Sequence, residues 1–281
     1  MAEVLVSVLM TCYNREKYIA EAIESVLASS YTNFEFIIVD DCSNDNTVSI
    51  VKTYQAKDIR IKLYINGRNL GDYPNRNKAA SYAKGKYLKY VDSDDTIFRM
   101  GLEIMINGME QYPEAGFGLC SIKPDAGKEF PFMLTSKEAY EYHFLGPGLF
   151  HKGPLTAIFL RTAFERMGGF KEIRMIGDTD MWHRMALQYP IVVMPDGIVS
   201  QRIHDAQELN DQEQFIVEGA KIKWNYLLDP ACPLSKTQLA TIREKRIHRY
   251  TGFVLSALKH LNLKKARIYL QCLSLTLKVK I

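Results

Sequence analysis

The feature that most constrains this chain is a change of hydrophobic period that recurs through its first 120 residues. Five short runs, VLVSVLM (4–10), FEFIIVD (34–40), IRIKLYI (59–65), KYLKYVD (86–92) and GFGLC (116–120), are continuous or alternating apolar segments. Between them lie stretches with helical spacing: 16–29, with Ile19, Ala22, Ile23, Val26 and Leu27 on one face, then 46–54, 73–84 and 96–112. Strands and helices that alternate at this interval form βαβ units, which predicts an α/β fold with a mainly parallel sheet and helices on both faces. Right-handed crossovers then gather the carboxyl ends of the strands along one edge, where open sheets of this kind bind ligands. Beyond residue 120 the spacing predicts loops around KPDAGKEFP and LGPGLFHKGP with a short helix SKEAYEYHF between them. It further predicts strands at 156–160, 191–194 and 198–203, and a helix near 178–189. From about 207 to 281 the pattern is helical, so an α/β unit over 1–206 and a helical region over 207–281 are expected.

Two of the strands end in carboxylates: Asp40 and Asp41 after the second, and Asp92, Asp94 and Asp95 after the fourth. Along an extended Asp92-Ser93-Asp94, residues two apart face the same way, and two carboxylates there repel each other unless a cation neutralises them. Oxygen donors of this kind suit Mg²⁺ or Mn²⁺, ions that keep positions open for phosphates. The competing reading is an acidic turn in which Asp95 caps a helix starting near Ile97. Asp40 is placed to accept hydrogen bonds from a nucleoside, as acids after a second strand do in dinucleotide-binding sheets. The glycine loop of those folds is missing, however. The first strand runs into Thr11-Cys12-Tyr13-Asn14-Arg15, and no G-x-x-x-x-G-K-[ST] occurs, so the phosphates of a bound nucleotide need a cation instead.

Composition narrows the remaining options. The 281 residues are 47% hydrophobic and 24% charged, enough for a large core. No apolar run reaches the length of a membrane span, and the N-terminus reads as a buried strand rather than a leader. The five cysteines (Cys12, Cys42, Cys120, Cys232, Cys272) are scattered with no C-x-x-C, which fits a reduced, cytoplasmic protein and neither a disulfide framework nor a zinc site. Residues 241–281 carry ten Lys/Arg against one acid, Glu244, so +9 of charge is concentrated there and the first 240 residues are net −5 in a chain of net +4. Two readings of this leucine-rich basic tail stand: peripheral contact with an anionic membrane face, or helices packed on the catalytic unit with solvated Lys/Arg. A nucleic-acid partner is excluded by the absence of a basic groove interleaved with aromatics.

Four stretches together resemble glycosyltransferases of family 2: VSVLMTCYNREKYIAEAIESVL (6–27), FEFIIVDDCSNDNT (34–47), NLGDYPNRNKAASYAKGKYLKYVDSDD (69–95), and GDTDMWHRMA (177–186) followed by QRIHD (201–205). The resemblance implies a GT-A fold with a C-terminal helical extension, a nucleotide-sugar-binding half over 1–120 and an acceptor and catalytic-base half over 121–206. It implies inverting, metal-dependent transfer of one sugar from a nucleotide-sugar donor, UDP by preference, to a hydroxyl of a glycan or lipid-linked acceptor of the cell envelope, with Mn²⁺ or Mg²⁺ as cofactor. Thr11, Tyr13 and Asp40 then contact the nucleoside, with Arg15 beside them, and Arg76, Asp92 and Ser93 belong to the donor site. Asp94 matches the direct metal ligand of the family's D-x-D, His204 a histidine near the metal or diphosphate, and Asp178 the catalytic base. Two departures stand out: Gly177 replaces the glutamate that usually precedes the base, and Asp180 offers a second acid two residues on. The Q-x-x-R-W motif of processive relatives is absent, so single additions are expected. Two other functions compete with transfer. One is a nucleotidyltransferase making nucleotide sugars, which wants a glycine-rich basic loop after the first strand. The other is a sugar or nucleotide binder that has lost its chemistry.

Overall fold

The computed structural model describes residues 4–123, 129–204 and 215–281. Its centre is β2 (Phe34–Asp40), all seven residues of which are buried. Phe34, Phe36 and Ile38 enter one apolar core and Ile37 and Val39 the other, which is why this run is continuously hydrophobic rather than alternating. Beside it in parallel lie β1 (Val6–Cys12), β3 (Ile61–Ile65) and, beyond β1, β4 (Tyr87–Tyr90). The helices α1 (Ile19–Leu27), α2 (Thr47–Gln55) and α3 (Asp72–Ser81) make the crossovers.

The second half of the sheet contains two reversed strands. β8 (Ala157–Leu160) runs antiparallel between β4 and β6 (Phe117–Ile122). β9 (Ile191–Pro195) follows parallel to β6, and β7 (Phe132–Leu134) closes the edge antiparallel. The eight strands are ordered β3-β2-β1-β4-β8-β6-β9-β7. The helices of this half are α4 (Gly101–Gln111), α5 (Ser136–Phe144), α6 (Arg161–Arg166) and α7 (Gly177–Gln188). A capping box of Thr135 and Glu138 starts α5 where the sequence places a short helix.

The segment 96–112 is not helical throughout. Thr96–Ile97 forms a short strand, β5, paired antiparallel with β10 (Val199–Ser200), and α4 begins only at Gly101. Gly101 sits so close to the chain at Ile198 that a Cβ would lie 2.6 Å from that carbonyl oxygen. Asp95 therefore caps no helix; its Oδ1 accepts the Arg202 N–H at 2.8 Å, joining the turn after β4 to the strand region 198–203. Of the six residues expected as a strand there, two pair.

After 215 the chain is helical: α8 (Ile216–Leu227), α9 (Lys236–Lys259, opened by a Ser235/Gln238 capping box) and α10 (Leu263–Leu277). α10 returns along α9 and reaches α8, where the buried Trp224 indole donates to Thr276 Oγ1 at 3.3 Å. The Arg243 guanidinium bonds the Thr276 and Leu277 carbonyls at the carboxyl end of α10, satisfying acceptors the helix cannot. The expected boundary at 206 falls outside the described residues.

Candidate functional site

The carboxyl ends of β1 and β4 open into a cavity of about 770 Å³. Its floor comes from the ends of these strands and the residues beyond: Thr11 at the end of β1 and Tyr13 after it, and Asp92, Ser93, Asp94 and Asp95 after β4. The start of α3 supplies Tyr73 and Arg76, the start of α7 supplies Asp178, and segments near 153 and 172–175 form the rest of the wall. Tyr13 is 41% exposed at the rim, whereas Ser93 is buried.

Asp40 and Asp41 divide the work expected of one. Asp40 is fully buried, and its carboxylate accepts the Ser43 N–H at 2.9 Å, the Ser43 hydroxyl, and the Cys12 thiol at 3.6 Å, locking β1 to the turn after β2. Asp41 is the one that reaches the cavity wall, where it accepts the Leu70 and Gly71 N–H groups at 2.8 and 2.9 Å. Gly71 has φ +89°, a conformation favouring glycine, and this shapes the turn into α3.

Each residue of Asn75-Arg76-Asn77 reaches a different part of the molecule. Asn75 donates to the Val39 carbonyl at the end of β2. Asn77 exchanges two hydrogen bonds with Phe170, at 2.8 and 2.9 Å, and so holds the segment leading to α7. Arg76, only 8% exposed, bonds Asp72 through Nε and Asp92 through Nη2, both at 2.7 Å. Burial raises the Asp92 carboxyl above the usual range and Asp94 adds to the rise, while Arg76 pulls it back. Asp95, under the same turn, is pushed up to about 7 by burial and by Asp92.

Asp94 Oδ2 lies 3.0 Å from His204 Nε2 and 3.1 Å from Arg15 Nε. His204 is stacked on Tyr18 at 4.6 Å, which fixes its ring. Among the described residues no three Asp, Glu, His or Cys form a ready cage for a metal. Asp92 and Asp94 line the edge of the cavity, and carboxylate oxygens there suit an ion that takes most of its shell from substrate phosphates, as Mg²⁺ and Mn²⁺ do.

Asp178 and Asp180 part company. The Asp178 backbone N–H donates to the Tyr73 hydroxyl at 3.0 Å, its Oδ1 accepts from the Thr179 N–H, and it lines the cavity. Burial pushes its carboxyl up to about 6. Asp180 is 2% exposed and faces away from the cavity, bonded to Lys171 (3.0 Å), Arg184 (3.0 Å) and the Tyr226 hydroxyl (2.7 Å). The glycine at 177 has a local cause: a Cβ there would lie 2.7 Å from the Tyr73 ring and 2.8 Å from the Lys171 carbonyl. Sequence reading put Asp41 at the ligand-binding edge without giving it a role, and missed Tyr73, Glu172 and Arg174 as wall residues. The only local signal was the acidic pair Asp40-Asp41 and the glycine at 71.

A family model described as glycosyl transferase family 2 matches residues 7–168. An Escherichia coli protein, UDP-Glc:alpha-D-GlcNAc-diphosphoundecaprenol beta-1,3-glucosyltransferase WfgD, is 40% identical over 109 residues, 39% of this chain and 42% of that one. Matches to five curated relatives, WfgD among them, span from 36 to 66% of the relative's length. The Staphylococcus aureus TarS fragment 1–349, in complex with UDP-GlcNAc, superposes with a TM-score of 0.70 at 22% identity, over 95% of this chain and 81% of that one. The mannosyltransferase PcManGT from Pyrobaculum calidifontis, in complex with GDP-Man and Mn²⁺, gives 0.64 at 18% identity, over 98% and 88%. These likenesses carry the fold, the GT-A arrangement of a mostly parallel sheet with helices on both faces.

Proposed function

The chain belongs to glycosyltransferase family 2, and we propose that it transfers one sugar from a UDP-sugar to a hydroxyl of a cell-envelope glycan or lipid-linked acceptor, with inversion and with a divalent ion. The observation that carries this reading is the convergence of Asp92, Asp94 and Asp178 on one cavity that has no glycine-rich phosphate loop. TarS with UDP-GlcNAc supports the uridine nucleotide, and PcManGT with Mn²⁺ supports the ion.

In this reading Thr11, Tyr13 and Asp41 face the nucleoside, with Asp40 fixing the turn behind them. Asp94 and His204, with Asp92 steadied by Arg76, would hold Mn²⁺ or Mg²⁺. The ion, when bound, supplies Lewis-acid stabilisation to the departing diphosphate. Arg15 and Arg76, paired with Asp94 and Asp92, would add fixed positive charge near that diphosphate. Asp178 takes the proton of the acceptor hydroxyl as that oxygen attacks the anomeric carbon from the face opposite the leaving group, so no covalent enzyme intermediate forms. The carboxyl at about 6 is ionised at neutral pH yet remains a competent base.

The basic helices extend the proposal to the acceptor's location. Leu255, Leu258, Leu261 and Leu263 are 63, 45, 85 and 70% exposed at the α9–α10 turn, beside Lys259, Lys264 and Lys265. Exposed leucines among lysines suit an anionic membrane face. No helix among the described residues is long and apolar enough to cross a membrane.

The deciding experiment is titration with UDP, GDP, dTDP and CDP, with and without Mn²⁺, on wild type and Asp94→Ala. Metal-dependent binding of UDP that Asp94→Ala abolishes is the expected result; binding indifferent to both metal and Asp94 overturns the donor site. Retention rather than inversion of the anomeric configuration in the isolated product would overturn the role given to Asp178.

A further inference from the structure

The first turn of α3 carries a cavity-lining carboxylate that the chemistry of Asp92, Asp94 and Asp178 does not use. Asp72 opens that helix and lines the donor cavity. Its Oδ1 accepts Arg76 Nε at 2.7 Å, and among the described residues no other side chain bonds this carboxylate. The Asp72 side chain is 40% exposed, whereas Arg76 is buried. The buried guanidinium therefore fixes one carboxylate oxygen and leaves the group at the cavity surface with acceptor positions to spare.

Two successive residues of α3 reach the two ends of the proposed reaction. Asp72 is tied through Arg76 to Asp92, on the ion side, by contacts of 2.7 Å each. Tyr73 accepts the Asp178 N–H on its hydroxyl at 3.0 Å, on the base side, and its ring packs against Gly177. Burial is the main cause of the raised Asp178 carboxyl, and the charge of Asp72 adds to the rise, as expected of two carboxylates on one cavity.

Transfer dictates where the sugar must lie. Its anomeric carbon stands between the leaving diphosphate oxygen, near Asp92 and Asp94, and the attacking acceptor oxygen, near Asp178. The ring thus spans the gap that Asp72 borders. A carboxylate held in place there can accept sugar hydroxyls, and bonds of O–H to an ionised oxygen are strong. The same charge repels an anionic sugar. Glu172 and Arg174, both on the segment 172–175 of the wall, offset each other in charge, and Arg76 is already shared by two carboxylates.

We propose that Asp72 binds hydroxyls of the transferred sugar and selects a neutral sugar over a uronic acid. It is a specificity-determining residue of the donor site, and this role rests on the transferase reading. The competing role is that of a helix-opening acid whose one task is to hold Arg76 as an i,i+4 pair.

A ratio separates the two roles. The full chain is titrated calorimetrically, with Mn²⁺ present, with UDP, UDP-glucose, UDP-galactose, UDP-N-acetylglucosamine and UDP-glucuronate, as wild type, Asp72→Ala and Asp72→Asn. Whatever Asp72 does to ion and diphosphate through Arg76 acts on UDP and on every UDP-sugar alike. It cancels when the affinity for each UDP-sugar is divided by that for UDP. In wild type the best neutral sugar exceeds UDP-glucuronate by about tenfold or more, and Asp72→Ala lowers the neutral-sugar ratio by about tenfold. Asp72→Asn, which keeps an oxygen for Arg76 Nε, lowers that ratio less and raises the ratio for UDP-glucuronate. Ratios unchanged in both variants, or UDP-glucuronate matching the best neutral sugar in wild type, overturn the role of Asp72. The donor site then still stands, because UDP binds. Failure of wild type to bind UDP at all overturns the donor reading, and the role of Asp72 falls with it.

Discussion

Asp178 and Asp180 lie two residues apart on α7, yet substitution should separate them cleanly. Asp178 carries a carboxyl lifted to about 6 by burial, a rise that the Thr179 N–H and the charge of Arg76 offset only in part. A carboxyl raised in the folded state costs stability as pH climbs from the ordinary carboxylate range, near 4, through about 6, because folding then favours the proton that solution removes. Asp178→Asn should therefore leave the protein at least as stable as wild type at pH 7 while lowering kcat by roughly 10²- to 10⁴-fold, with UDP–Mn²⁺ affinity retained. The same ionisation sets the pH profile of wild type: kcat/KM should rise with pH and level off above about 6. Asp180→Ala should do the reverse, leaving Lys171 and the Tyr226 hydroxyl without this acceptor and Arg184 with the Met167 and Gly169 carbonyls. Breaking a buried pair costs about 3–5 kcal/mol, and the half-exposed Lys171 argues for the lower end. Denaturant unfolding beside single-turnover kinetics measures both variants, and equal activity losses in the two would undo the distinction.

At the scale of elements, the start of α7 depends on α3 across the cavity. Tyr73 fills the space that a side chain at 177 would need, and its hydroxyl takes the Asp178 N–H, one of the donors a helix N-terminus leaves open. Gly177→Ala should lower both stability and kcat, because ring and backbone cannot both recede. Adding Tyr73→Ala should recover part of the stability, giving a coupling of about 0.5–3 kcal/mol in a double-mutant cycle; strict additivity would mean that the contact exerts no pressure. The same contact shows where sequence reading runs out. Strands such as Phe34–Asp40 were legible because a strand buried on both faces needs an unbroken apolar run. The D-x-D and the acid pair after β2 were legible as types of residue at a sheet edge. Which member of Asp40-Asp41 faces the cavity was not, since Ser43 and Cys12 decide it. Nor was the fate of 96–100, where a pairing with Val199–Ser200, a hundred residues away, overrides helical spacing.

For the molecule as a whole, charge and exposed apolar surface coincide at one end. The first 240 residues are net acidic and the last forty are strongly basic, and within them the α9–α10 turn exposes four leucines. Packing between the helices accounts for Ala257, Ala266 and Cys272, which are buried, but not for Leu255, Leu258, Leu261 and Leu263. Were the tail only a solvated brace for α8, that turn would gain nothing from leucine, and polar substitutions there would be silent in every assay. On an anionic bilayer both properties act together. Lys and Arg near the surface contribute about 1 kcal/mol each and the leucines bury apolar area in the headgroup region. The chain should therefore float with vesicles containing phosphatidylserine and not with phosphatidylcholine alone. Moderate salt should weaken the association, as screening over a Debye length of about 8 Å requires. Leu258→Glu with Leu261→Glu should abolish flotation while sparing UDP–Mn²⁺ binding, because neither residue touches the cavity. Flotation that survives this pair would move the contact elsewhere on the molecule. Failure of wild type to float would leave the helices as the brace alone, with the acceptor reached from solution.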